Sequence, residues 1–195
     1  MNRTIQGFHQ DDAGDWVAEL ACGHDQHVRH RPPFEQRPWV LSACERERHI
    51  GEQRDCPLCE QGVLPARVVF LKSSPDWDQI SMPAPLRNAH RLSDYKWGLL
   101  QVAEGSLRYL SHDPAIERVV AAGEKLAIPP GVAHHVTPLG VARFRIDFFR
   151  IAPASKAVTG GETACFAHLT CPACGVVQDG SQHHQDCSLQ APVHH

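Results

Sequence analysis

No apolar stretch in this chain approaches the roughly 20 residues that a membrane-crossing helix requires, so a membrane partner is not expected. The opening residues, 1–12, lack the apolar centre of a secretory signal, which points to a cytoplasmic protein. Excess positive charge is missing too. The formal net charge is −3, and nucleic acid is therefore not an expected partner. There are no repeats of fixed period and no low-complexity tracts beyond a short histidine-rich end.

What the chain has in unusual number is metal-ligating side chains. Among 195 residues stand eight cysteines and fourteen histidines, against an ordinary 42% hydrophobic and 21% charged content. That length suits one medium domain, or a barrel with small appendages. Two Cys-x-x-Cys pairs occur, Cys56/Cys59 and Cys171/Cys174. In a reducing compartment, and without a βαβ context for a redox motif, such spacing reads as metal binding rather than disulfides.

The first module is expected to span residues 1–62. Two short strands, Arg3 to Phe8 and Trp16 to Leu20, flank a hairpin loop at Asp11 to Asp15. Ser42 with Glu45 forms a capping box for a short helix that Gly51 ends. Cys22-Gly23-His24 and Cys56-Pro57-Leu58-Cys59 are tight turns, each aiming two ligands at one point, and together they complete a tetrahedral Cys₃His zinc site. His24 is the preferred fourth ligand, with His27 and then His30 behind it. So few large apolar side chains leave a marginal core, and zinc is worth about 10–16 kcal/mol in isolated finger peptides. A substitution at Cys56 is accordingly expected to unfold this module and leave the rest standing.

The central stretch, 64–151, reads as a small β-barrel. Trp97 to Leu110 is too long and apolar for a surface strand, and Gly105 breaks it into two halves meeting at a corner. An acidic, Pro-bearing connection follows. Leu126 to Pro129 is a short strand, and Pro130-Gly131 suits a type II turn. After it, period two puts His134 and Val136 on the inner face, with His135 and Thr137 outside. Phe144, Ile146 and Phe148 should face the core, leaving Asp147 with Arg143 and Arg145 unless a bulge reverses them. His90 and His134 are the candidate lumen ligands, with Asp147 as a candidate third. Two imidazoles with open positions suit a divalent zinc, iron or nickel ion.

Gly123 and the run Ile128-Pro129-Pro130-Gly131-Val132-Ala133-His134 resemble the second motif of the cupin superfamily, while its first His-x-His motif is absent. From Leu64 to Ile151 the chain resembles, more narrowly, the cupin-like domain at the N-terminus of TehB-type tellurite-resistance proteins. Met82-Pro83, Trp97-Gly98, Glu104-Gly105-Ser106-Leu107, His134-His135-Val136 and Arg145-Ile146-Asp147-Phe148-Phe149 carry that likeness. The resemblance implies a cupin-like double-stranded β-helix (jelly-roll), a tellurite or other toxic-oxyanion connection, a small-molecule or oxyanion ligand, and by analogy a homodimer through an edge strand. Methyl transfer does not carry over, because residues 152–195 are too few for a Rossmann unit. Cys22-Gly23-His24, Gln26 to His30 and Arg37-Pro38-Trp39-Val40 are similar to a short bacterial family of unknown function, which implies a recurring unit and no activity.

Residues 152–163 read as a linker, and 164–195 as a second zinc knuckle formed by Cys171, Cys174, Cys187 and His184, with His183 as rival. The fold class expected is thus mainly β, a cupin-like barrel with small zinc-binding modules at each end. Three functions compete: a metal- or small-molecule-binding cupin, a metal-dependent cupin enzyme, and a zinc-knuckle interaction adaptor. The absence of a clear general base weighs against the second, and the charge balance against the third.

Overall fold

The computed structural model describes residues 1–153. The expected ligands Cys171, Cys174, His183, His184 and Cys187 lie outside the described residues. Within them the protein is mainly β, as the alternating apolar runs require.

The N-terminal part contains β1 (Asn2–Gln10), β2 (Trp16–Leu20), β3 (Asp25–His27), α1 (Ala43–Arg48), β4 (Gln53–Asp55) and α2 (Pro57–Gln61). Its four strands form an antiparallel sheet in the order β3-β2-β1-β4. The β1–β2 hairpin turns at the expected acidic loop, where Asp11 accepts bonds from the backbone N–H groups of Ala13 and Asp15. Ser42 caps α1 through the N–H of Glu45. β3 and β4 are three residues each, too short for an alternating pattern to register.

The remainder comprises β5 (Val68–Ser73), β6 (Trp77–Asp78), α3 (Ala84–Arg87), β7 (Lys96–Glu104), β8 (Ser106–His112), β9 (Ala115–Ala121), β10 (Lys125–Ile128), β11 (His134–Pro138) and β12 (Arg143–Ile151). One sheet runs β10-β7-β12-β5, with β6 also on β12, and the other runs β11-β8-β9. Gly105 is the corner between them: its φ is +69° and a Cβ there would fall 2.0 Å from the Val141 carbonyl oxygen, so only glycine fits. Gly131 likewise takes positive φ in the Pro-Pro-Gly turn. The presumed connection after Leu110 is instead a hairpin partner. β9 pairs with β8 from Ser106↔Ala121 to His112↔Ala115. Its sequence, AIERVVA, alternates as an edge strand does, and the acidic Glu117 and the proline just before it disguised that pattern.

Between the two sheets lies one core, with Leu100, Val102, Leu107, Tyr109, Leu126, Ile128, Val136, Phe144 and Ile146 all buried. A second core crosses the boundary between the N-terminal part and the sheets. Ile5, Phe8, Leu20, Cys22, Val28, Val40, Cys56 and Cys59 pack with Trp97, Ala127 and Val132, and Leu99, Phe149 and Ile151 border them. Trp97 and Leu99 alternate along β7 with the inward Gly98 and Leu100. The N-terminal part therefore covers the outer face of the five-stranded sheet. This explains why the first half of β7 reads as apolar on both faces: Trp97 is buried and Leu99 half-buried on the covered side, Gly98 and Leu100 on the other. Burying each such large side chain contributes about 1.5–3 kcal/mol, and the two parts share that gain.

Candidate metal centre

Four predicted ligands converge. Cys22 and His24 sit on the turn joining β2 to β3, where Gly23 adopts φ +88° and the Leu20 N–H donates to the His24 carbonyl. Cys56 is the N-cap of α2, Pro57 opens its first turn, and Gly62 closes it with φ +68°. One ligand atom from each of Cys22, His24, Cys56 and Cys59 lies within 4.8 Å of the other three, and all four residues are buried.

The separations fit a tetrahedron. The Cys22 and Cys56 sulfurs are 3.8 Å apart. His24 Nδ1 stands 3.5 Å from Cys22 Sγ, 3.4 Å from Cys56 Sγ and 3.6 Å from Cys59 Sγ. Zinc bonds of about 2.3 Å to sulfur and about 2.05 Å to nitrogen give tetrahedral edges of about 3.8 and 3.6 Å. His24 Nε2 is buried without a hydrogen-bond partner, and the ring stands edge to face against Trp97, 5.4 Å between centroids. The Trp97 indole N–H donates to the Cys22 carbonyl at 2.7 Å.

The electrostatics of the cluster call for a cation. Burial opposes a charged His24, yet the Cys22 and Cys56 thiols outweigh it and push the imidazole up to about 9. Hydrogen bonds from Cys22 and Cys59 lower Cys56, whereas Cys22, Cys56 and burial raise Cys59. Three adjacent sulfurs cannot all ionise without a positive charge among them, which a divalent cation would supply.

The rival histidines are engaged elsewhere. His27 Nε2 contacts Asp11 at 2.8 Å, and His30 Nδ1 accepts the Arg37 N–H at 3.0 Å. Arg29 and Arg31, basic residues of the same segment, both pair with Asp15.

His90 and His134 meet in the other part. Each donates its N–H to the other's carbonyl, and their rings lie 4.2 Å apart between centroids. His134 is 1% exposed, and burial first, then the neighbouring imidazoles, lowers its pKa to about 4 despite the Val132 hydrogen bond. A neutral ring 2.8 Å from the Val132 carbonyl must carry its proton on Nδ1, leaving the Nε2 lone pair free. The Tyr109 ring stacks on it at 5.7 Å, its hydroxyl buried. Among the described residues no third Cys, His, Asp or Glu joins the two imidazoles. Asp147 lies on the opposite face from Ile146, accepting from Ser73 Oγ at 2.7 Å and from the Gln101 amide. The two register shifts along β12 place the extra residue on its neighbours, Ala103 of β7 and Leu71 of β5, so β12 alternates without a break and Asp147 stays outward.

Residues 6–63 match the family model described as Protein of unknown function (DUF3565), and residues 72–146 match the TehB-like domain. The chain thus joins a segment of the first family to a domain of the second. Among solved structures, a protein from E. coli strain K12 shares 25% identity over 46% of this chain and 96% of its own, with a TM-score of 0.42. TehB from Haemophilus influenzae shares 20% identity over 44% of this chain and 32% of its own, with a TM-score of 0.41. KdgF from Halomonas sp. shares 15% over 44% and 87%, with a TM-score of 0.29. No curated protein matches the chain.

Proposed function

We propose that this is a metal-binding protein in which Cys22, His24, Cys56 and Cys59 hold a structural zinc ion that fastens the N-terminal module to a cupin-like jelly-roll. The observation that carries the reading is the closed, buried tetrahedron of three sulfurs and one imidazole nitrogen. Such a site leaves no open position for substrate, so the role of its metal is structural. On this reading the chain divides into a module at 1–62, a barrel at 64–151, a linker at 152–163 and a knuckle at 164–195. The last holds a second zinc ion through Cys171, Cys174, Cys187 and His184.

The His90–His134 pair is the place for a third divalent ion, zinc, iron or nickel, or for a small ligand, with the free Nε2 of His134 as donor. The TehB-like domain supports a role in the response to tellurite or another toxic oxyanion at family level alone. The edge strand β5 supports pairing with a second copy, since Val69, Phe70 and Leu71 are each over 40% exposed there. Metal analysis of the purified chain tests the central claim. Cys56→Ser should lose one zinc and Cys171→Ser another, and a Cys56→Ser chain with full metal content would refute the N-terminal centre.

A further inference from the structure

Two histidines used by neither site face each other on the protein's exterior. His112 ends β8 and His135 lies on β11, on the face of those strands opposite His134. His112 Nε2 and His135 Nδ1 face each other at 3.2 Å, with ring centroids 5.3 Å apart. Backbone bonding fixes where both side chains start: the His112 N–H donates to the Ala133 carbonyl at 2.9 Å, and His135 is in register with Leu110. The outward Arg108 of β8 is paired with Glu117 of β9 at 3.2 Å, so its charge already has a partner.

The geometry points to an exterior site for a borderline divalent cation of the nickel, copper or zinc type, chelated by His112 Nε2 and His135 Nδ1. Metal–nitrogen bonds of about 2.05 Å bring adjacent ligands to about 2.9 Å at a right angle and about 3.3 Å in a tetrahedron. The observed 3.2 Å lies within that span. No proton need be lost on binding. The ring that donates across the contact shifts its proton to its other nitrogen, both rings stay neutral, and two lone pairs then converge. The sheet holds the rings together beforehand, so the second bond forms at a high effective concentration. No third Cys, His, Asp or Glu lies within reach among the described residues, so water completes the coordination.

The test uses the full chain carrying its tightly held zinc, with weakly held metal removed by desalting, and Ni²⁺ as probe. Carbethoxylation of each histidine, read by mass spectrometry, reports which rings Ni²⁺ protects. His112 and His135 should become protected together, and His112→Gln should weaken protection of His135 by about tenfold or more. Zinc content should stay unchanged in that variant, which separates this site from the thiolate centre. Protection of His135 that survives His112→Gln would overturn the proposal. So would the absence of protection at both rings in the unaltered chain.

Discussion

The thiolate cluster of the N-terminal part and the histidine pair between the sheets are both gatherings of metal-ligating side chains, but they are built differently. The first takes four donors from two tight turns, every one of them buried. The second takes two donors from a loop and a strand, and His90 is only half-buried. A turn fixes two ligands through local chain geometry, so Cys-x-His and Cys-x-x-Cys advertise themselves in sequence. A pair made by strand placement depends on the whole fold. Such a pair would also hold a metal ion less tightly, because each missing ligand leaves a coordination position to water.

The largest expected effect sharpens that contrast. Cys56→Ser removes a ligand from the closed site, and structural zinc is worth on the order of 10–16 kcal/mol in isolated finger peptides. The shared core changes the expected outcome from loss of the module alone to destabilisation of the whole described fold. Losing the module would expose Trp97, Ala127 and Val132. Thermal unfolding of Cys56→Ser, followed at Trp97 and at a probe on β8, should show both parts melting earlier. A two-sheet part that melts at the unaltered temperature would show that the boundary core contributes little.

Next comes Trp97→Ala, which empties a fully buried site and leaves the Cys22 carbonyl without its indole donor. Removal of a buried aromatic ring costs about 3–5 kcal/mol. Trp97→Phe, which keeps most of the ring, should cost about 1–2 kcal/mol for the lost hydrogen bond. Chemical denaturation of the two variants measures both. Equal losses would mean that the indole N–H contributes nothing separable from packing.

The histidine pair predicts a pH effect. Unfolded, His134 takes up a proton near pH 6.5; folded, with its pKa lowered to about 4, it stays neutral over most of that interval. Between those values the unfolded chain binds more protons, so stability falls as the pH drops from 6.5 to 4. The full effect is about 3 kcal/mol. Stability measured across this window for the parent and for His134→Asn should converge at the acid end. An imidazole that titrates near pH 6.5 by NMR would remove the basis for this difference.

Much of this was legible because it is local. The Cys22 and Cys56 turns, the Ser42 cap, the Gly105 corner and the inward His134 each follow from a few neighbouring residues. The N-terminal cover over β7 was not, because the outward Trp97 and Leu99 look like any other apolar strand residues. The same burial that made Trp97 to Leu110 read as interior left no sign of which part lay on its second side. β9 went unread for a related reason: a solvated edge strand alternates with charges and lacks a continuous apolar run.

The smallest effect bears most directly on how the two regions communicate. Arg118 of β9 donates from its guanidinium to the carbonyls of Glu60 and Gln61, at 2.7 and 2.8 Å. These are carbonyls at the end of α2, which its own short helix cannot satisfy. The Gly62 carbonyl beside them accepts the Ala127 N–H of β10 at 3.0 Å. Arg118→Ala removes the side-chain half of this clasp and keeps the backbone half, so the expected cost is modest, about 1–3 kcal/mol for charge-assisted bonds. Its decisive readout is zinc release to a chelator. Cys56 and Cys59 ride on α2, so a loosened helix end should let the proposed zinc ion escape faster while unfolding of the two-sheet part changes little. Unchanged release with lowered stability would place the clasp's role in joining the two parts rather than in holding the metal.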